Sequence, residues 1–430
     1  MKTLFGSRFA YTLLLWLLLP YVFFHLLWRA RRQPEYLHHI GERFGFYAVY
    51  SDKPVIWLHA VSVGETRATQ NLVTRLRTAY PNHQILLTHT TPTGRATSKQ
   101  LYGDSVLRVY LPYDYPFAVI NFLHCFRPEI GILMETEIWF NLIHACHSFN
   151  TPLLLLNGRM SEKSSQRYAR FPRLTRTALL GLTSISAQTP DDALRLTKLG
   201  AQNVSVMGNL KFDIEPPASM LELGKRLRDQ FGPTRKIFLA ASTREGEESL
   251  LLDVLEQMHI PELLVVIVPR HPQRFAAVAD LLEQRGIVFQ RRSDDRIVTA
   301  EIRVVLGDSM GEMFAYYAAA DLAFIGGSLL PFGGQNLIEA CAVGTPVLIG
   351  PYTHNFAEAT QLAVRAGAAI QVNDVREFND SLHQLLNDQG ALSKMSQRCI
   401  GFVKSNQGAT NKALQIITSA LKKDFRIQSN

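Results

Sequence analysis

From Pro54 to about residue 372 the sequence alternates short apolar runs with longer stretches in which apolar residues recur every third or fourth position. That alternation leaves little freedom: it predicts β-α-β units, and so parallel sheets with helices on both faces. In the first half the runs 55–59, 84–89, 106–111, 129–134, 152–156, 183–187 and 203–207 read as strands. The segment "EPPASMLELGKRLRDQFGP" (215–233) interrupts them with prolines at one end and Gly-Pro at the other. A second set follows in "KIFLAAS", "LLVVIVP", "RVVLGD", "LAFIGG", "TPVLIG" and "AAIQV", and the remainder to about 422 reads as helical. A chain of 430 residues is also too long for one ordinary core. The expected architecture is α/β, with two Rossmann-like domains facing a cleft: residues 33–214, a linker 215–233, and 234–430 including the terminal helices.

The amino terminus adds a different element. "FAYTLLLWLLLPYVFFHLLW" (9–28) is uncharged and about long enough to span a hydrocarbon core. Tyr11, Trp16, Tyr21 and Trp28 suit interfacial positions, and "RARR" follows at once. A cleaved signal peptide needs a small-x-small site after its apolar run, and "WRARRQP" has none. Residues 1–32 are therefore expected to form one uncleaved membrane anchor, with Pro20 and His25 leaving room for a kinked or partly interfacial helix. Arg29, Arg31 and Arg32 outnumber Lys2 and Arg8, which puts the bulk of the chain on the cytoplasmic side.

The formal net charge of +8 points to acidic partners, either anionic lipid or phosphorylated substrates. No nucleic-acid-binding signature occurs, so nucleic acid is not an expected partner. Cys125, Cys146, Cys341 and Cys399 lie far apart without a CxxC and read as free thiols. "HACH" (144–147) lacks a second ligand cluster, so no metal site is expected there.

Ligands of parallel α/β sheets bind at the carboxyl ends of strands. In the first half, "VIWLHAVSVGE" ends a strand and opens a helix at Gly64-Glu65. Glu65 is either a charge suited to a positive helix end, worth ~0.3–1 kcal/mol, or a general base whose ionisation that end favours. "IGILMETEIW" places Glu135 and Glu137 where the next buried strand finishes, Glu135 being nearer to it. Two strand ends that supply carboxylates to one rim favour acid–base chemistry. Lys211 in "GNLKFD" lies at the domain junction, available to an anionic ligand or simply solvated.

In the second half the strand ends resemble an anion site. "LAASTREGEES" sets Ser242 and Thr243 before a helix, whose N–H groups suit phosphate and whose capping could coexist with binding. "VVIVPRHPQR" ends in Arg270, then His271 and Arg274, and arginine's planar fork fits phosphate. "LGDSMGEMF" and "FIGGSLLPFGGQNLIEA" complete the rim, with Asn336 and Glu339 spaced for one helix face. The glycine loop is neither GxGxxG nor a Walker A motif, which disfavours a dehydrogenase or a P-loop ATPase.

The pieces "HAVSVGE", "METEIWFN", "NGRMSEKS", "GNLKFD", "AASTREGEE", "VPRHPQR", "GDSMGEM" and "GGSLLPFGGQNLIEA" run in order over nearly the whole chain. Together they resemble the 3-deoxy-D-manno-octulosonic acid (Kdo) transferases of lipopolysaccharide synthesis. The resemblance implies a two-domain GT-B glycosyltransferase of the inner membrane. It implies CMP-Kdo as donor and a lipid A precursor, lipid IVA, as acceptor, with an inverting transfer that uses no metal and no cofactor. By motif, Glu65 is the implied proton acceptor, and Glu135 and Lys211 stabilise the transition state. The implied CMP site comprises Pro269, Arg270, Met310, Gly311, Glu312, Asn336, Leu337, Ile338 and Glu339. Arg159 and Gln335 are small departures that remove no charged group. Two other readings are another membrane-associated GT-B enzyme with a nucleotide diphosphate sugar donor, and a non-catalytic membrane-tethered module.

Overall fold

A computed structural model describes residues 7–257, 260 and 262–428. The first sheet contains β1 (Val55–His59), β2 (Gln84–His89), β3 (Leu107–Tyr110), β4 (Pro128–Met134), β5 (Leu153–Gly158), β6 (Ser184–Ala187) and β7 (Val204–Val206). Its order is β3-β2-β1-β4-β5-β6-β7, with every neighbouring pair parallel. Strands buried on both faces carry near-continuous apolar runs, as β1 and β4 do here. Alternate residues serve opposite faces: Val55 and Trp57 join one core, Ile56 and Leu58 the other. Gly131 of β4 is required by this packing, because a Cβ there would lie 2.6 Å from the Trp57 ring.

The second sheet contains β8 (Lys236–Thr243), β9 (Leu263–Pro269), β10 (Phe289–Arg291), β11 (Val304–Leu306), β12 (Leu322–Ile325), β13 (Val347–Ile349) and β14 (Ala369–Gln371). Its order is β10-β11-β9-β8-β12-β13-β14, again all parallel. The sequence reading contains six of these strands and misses β10. That strand is short, lies at the sheet edge and holds a single apolar residue, so it carries no periodic signal.

The chain divides into two compact units, one reaching to Asp213 and resuming at Gln407, the other spanning Ile214–Asn406. Two expected boundaries change. Residues 407–430 do not belong with the second domain: Ala413, Ile417 and Leu421 of the last helix, Ala409–Gln428, fill the same core as Ile56, Leu58 and Leu156. The Asp213 carboxylate fixes the start of that helix by accepting the N–H groups of Gly408, at 2.6 Å, and Thr410. The segment 215–233 is likewise no free linker. It forms the helix Ala218–Phe231 of the second unit, where Gly224 lets it approach Ala315 and Ala318 closely.

The helix Arg8–Arg32 is long and apolar enough to cross a membrane. Its first half is nevertheless tied to the first unit. Tyr11 donates to Asp114 at 3.0 Å, Thr12 donates to Asn141 at 3.1 Å, and the Tyr115 hydroxyl donates to the Leu15 carbonyl at 2.8 Å. Asp114 is buried and also accepts the N–H groups of Asn141 and Leu142, at 3.0 and 2.8 Å. Charge-assisted bonds of this kind carry about 1.5–3 kcal/mol each. Asp114→Ala should therefore lower the stability of detergent-solubilised protein by roughly 2–3 kcal/mol, read as a drop in Tm. An unchanged Tm would show that the helix is an independent tether.

Candidate active site

In the first unit the strand ends gather three carboxylates and one amine. Ser62 caps the short helix Val63–Ala68, and Glu65 sits three residues on, in its first turn. One Glu65 carboxylate oxygen accepts the Val61 N–H at 2.9 Å, and the other accepts the Ser62 hydroxyl at 2.8 Å. Both oxygens are thereby oriented. Burial is the main force on its ionisation and pushes the carboxyl up to about 7. The Val61 and Ser62 hydrogen bonds oppose that rise, while the Glu135 and Glu137 charges add to it. Burial thus opposes the ionisation that a helix N-terminus favours.

Glu135 follows β4 in a left-handed conformation, φ 58°, that non-glycine residues seldom adopt. Its N–H donates to the Leu156 carbonyl at 3.2 Å, and its own carbonyl accepts from Arg159 at 3.4 Å. The turn aims its carboxylate at Lys211, whose Nζ lies 3.4 Å away. Glu137 accepts the Trp139 indole N–H at 2.6 Å, and burial raises its pKa. His59 Nε2 lies 3.9 Å from Glu137. Burial holds His59 neutral, with its pKa lowered to about 3.

Lys211 rides on a single 3₁₀ turn, Leu210–Phe212. Asn157 fixes that turn by accepting the Leu210 N–H at 3.0 Å, and Gln188 connects Asn157 to Asn209 with two further bonds of 3.0 Å. The structure thus brings together Glu65, Glu135, Glu137 and Lys211 from three segments. Ser62, Trp139, Asn157 and Gln188, which hold them, receive no role in the sequence reading. Only the Ser62-x-x-Glu65 spacing of a capping box carried a readable signal.

In the second unit, Pro269 ends β9 and Arg270 follows it, its Nε donating to Gln335 at 3.1 Å. Met310 is exposed, Gly311 takes φ 83°, and Glu312 accepts from Ser309 at 2.7 Å and pairs with Arg292 at 3.3 Å. Asn336 and Glu339 do meet, at 3.1 Å, but not on one helix as the spacing suggested. The helix begins at Ile338, after Leu337, and Asn336 precedes it, accepting the Ile338 N–H at 3.1 Å.

Ser242 and Thr243 also differ from expectation. Both belong to β8, Ser242 with φ 56° at a register shift, and the helix starts only at Glu247. Thr243 is buried and donates to Glu248 at 2.7 Å, while the Arg244 N–H donates to Glu247 at 2.9 Å. That loop's first N–H is therefore engaged within the protein. Gly326 is needed beside it, since a Cβ would lie 2.4 Å from the Ser242 carbonyl oxygen. Among the described residues no three His, Cys, Asp or Glu side chains gather to hold a metal ion.

The same fold occurs in a glycosyltransferase from Rickettsia africae ESF-5, with a TM-score of 0.57 at 15% identity over 86% of this chain and all of that one. The two parallel seven-stranded α/β units are the two-domain fold that the chains share. The family model for 3-deoxy-D-manno-octulosonic-acid transferase matches residues 38–214, and that for glycosyl transferases group 1 matches 237–401. The chain is 39% identical to the 3-deoxy-D-manno-octulosonic acid transferase of Bordetella pertussis, over 96% of this chain and 99% of that protein. It is 35% identical to the protein of the same name from Haemophilus influenzae, over 97% and 99%. The chain belongs to the 3-deoxy-D-manno-octulosonic acid transferase family.

Proposed function

We propose that the protein transfers Kdo from CMP-Kdo to a hydroxyl of a lipid A precursor, lipid IVA, in one inverting displacement without a metal. The observation that carries this reading is Glu65: a partly buried carboxylate with both oxygens oriented and a pKa of about 7. General bases work best when their pKa lies near the operating pH. The acceptor hydroxyl gives its proton to Glu65 as its oxygen attacks the anomeric carbon of Kdo. The bond from that carbon to the phosphate oxygen breaks, and the pair leaves with CMP. A single displacement inverts the centre and needs no protein nucleophile.

The second unit binds the nucleotide through Pro269, Arg270, Met310–Glu312 and Asn336–Glu339, with Ser242 at the neighbouring strand end. Glu135 and Lys211 stabilise charge developing in the transition state. The acceptor is a lipid, and the apolar helix Arg8–Arg32 supports membrane residence. Phe9, Leu17 and Phe24 on it are exposed, as are Phe46 and Tyr50 of the first unit. We place the protein at the inner membrane, its catalytic units on the cytoplasmic side, drawn to anionic lipid by its basic charge.

Incubation with CMP-Kdo and a tetraacylated lipid A precursor should yield a Kdo-bearing product by mass spectrometry. Absence of product, with turnover of a nucleotide diphosphate sugar instead, would overturn the reading. Glu339→Ala should weaken CMP binding by roughly 1.5–3 kcal/mol and Asn336→Ala by less. Calorimetry that finds normal CMP affinity in Glu339→Ala would move the nucleotide site elsewhere.

A further inference from the structure

The second sheet changes direction between β8 and β12, so the loops leaving these strands diverge from a topological switch point. Glu247, fully buried, ties the two loops together. Its carboxylate accepts the N–H of Arg244 at 2.9 Å, of Gly327 at 2.6 Å and of Leu329 at 3.0 Å. The first loop thereby presents the Arg244 side chain at a fixed place on the rim. Its guanidinium stands 4.6 Å over the Phe332 ring, and Nη1 lies 3.3 Å from His271 Nε2. It remains partly exposed.

Arg274 on the same rim is paired with the buried Glu248 at 3.1 Å, whereas among the described residues no carboxylate forms an ion pair with Arg244. Arg270 ends β9, the strand that neighbours β8, and its charge and that of Arg244 both act on His271. Burial and these arginines lower the His271 pKa. A neutral imidazole can accept the Arg244 N–H. Two cations thus stand side by side at adjacent strand ends.

We infer that Arg244 binds the sugar carboxylate of the donor and so selects an acidic 2-keto sugar over neutral sugar nucleotides. This rests on the donor assigned above and names the residue that reads it. In a CMP-activated 2-keto acid the carboxylate and the phosphate ester are attached to one carbon. Their binding groups must therefore be neighbours, as Arg244 and Arg270 are. A neutral aldose donor has hydrogen in place of the carboxylate and would leave Arg244 without a counter-charge.

The test compares full-length wild type, Arg244→Met and Arg244→Lys. Methionine keeps an apolar stem against Phe332 and removes the charge. Arg244→Met should raise the KM for CMP-Kdo about 10- to 100-fold, with kcat changed far less and the Kd for CMP alone within about twofold of wild type. Arg244→Lys should recover part of the loss, because it restores charge without the planar fork. An unchanged KM overturns the assignment. So does a parallel loss of CMP affinity, which would make Arg244 a nucleotide ligand or a purely structural residue. Wild type that binds CMP but does not turn over CMP-Kdo would instead break the donor reading and remove the basis of this one.

Discussion

Glu65→Gln should reduce transfer by ~10²–10⁴-fold while the Kd for CMP stays at the wild-type value. Glutamine can still accept the Val61 N–H and face the Ser62 hydroxyl, so the cap survives and only proton acceptance is lost. The pH profile gives an independent check. With a pKa of about 7, Glu65 is protonated and inactive as a base at low pH, so kcat/KM should rise to a plateau above roughly pH 7. Stability supplies the opposite signature. The folded-state pKa is raised above 4.5, so the contribution of Glu65 to stability is full below that value and is lost as pH rises through about 7. Glutamine carries no such ionisation. Its Tm should match wild type below about pH 4.5 and exceed it at pH 8. Transfer retained at a tenth or more of the wild-type rate would remove Glu65 from the mechanism and make Glu137 the next candidate.

Lys211→Met should lower kcat by ~10²–10³-fold, the range for loss of one electrostatic stabiliser. It should also move the acidic limb of the pH profile to higher pH. The Glu135 charge already raises the Glu65 pKa, and the Lys211 ammonium, 3.4 Å from Glu135, is of the opposite sign. Without the lysine that field on Glu65 strengthens. Glu135→Gln should move the limb the other way. A kcat loss below tenfold with an unmoved limb would reduce Lys211 to a structural partner of Glu135.

The strand ends were legible because a parallel sheet declares itself twice, by continuous apolar runs and by the polar residue that stops each run. Glu65, Glu135 and Arg270 were singled out as candidates that way. Lys211 was visible as a charge after a strand, yet the groups that position it were not. Asn157 and Gln188 act across the loops after β5, β6 and β7, and no local period connects them. The start of the helix at Ile338 was misplaced because Asn336 can cap a helix as readily as occupy one. The same ambiguity hid Thr243, a hydroxyl that looks like a phosphate ligand until Glu248 is seen to hold it. Long-range placement also defeated the reading of residues 407–430, since an amphipathic helix shows that it has a partner without showing which.

That last helix has a bearing on how the protein is made. Ala413, Ile417 and Leu421 cover a face of the first sheet, yet the ribosome delivers them after every residue of the second unit. The nascent chain therefore leaves the face around Leu156 uncovered while the second unit is made. Completion of the first unit is postponed until the second has been made. A message truncated just after Asn406 would release a protein with its second unit whole and its first unit uncovered, open to chaperone capture and proteolysis.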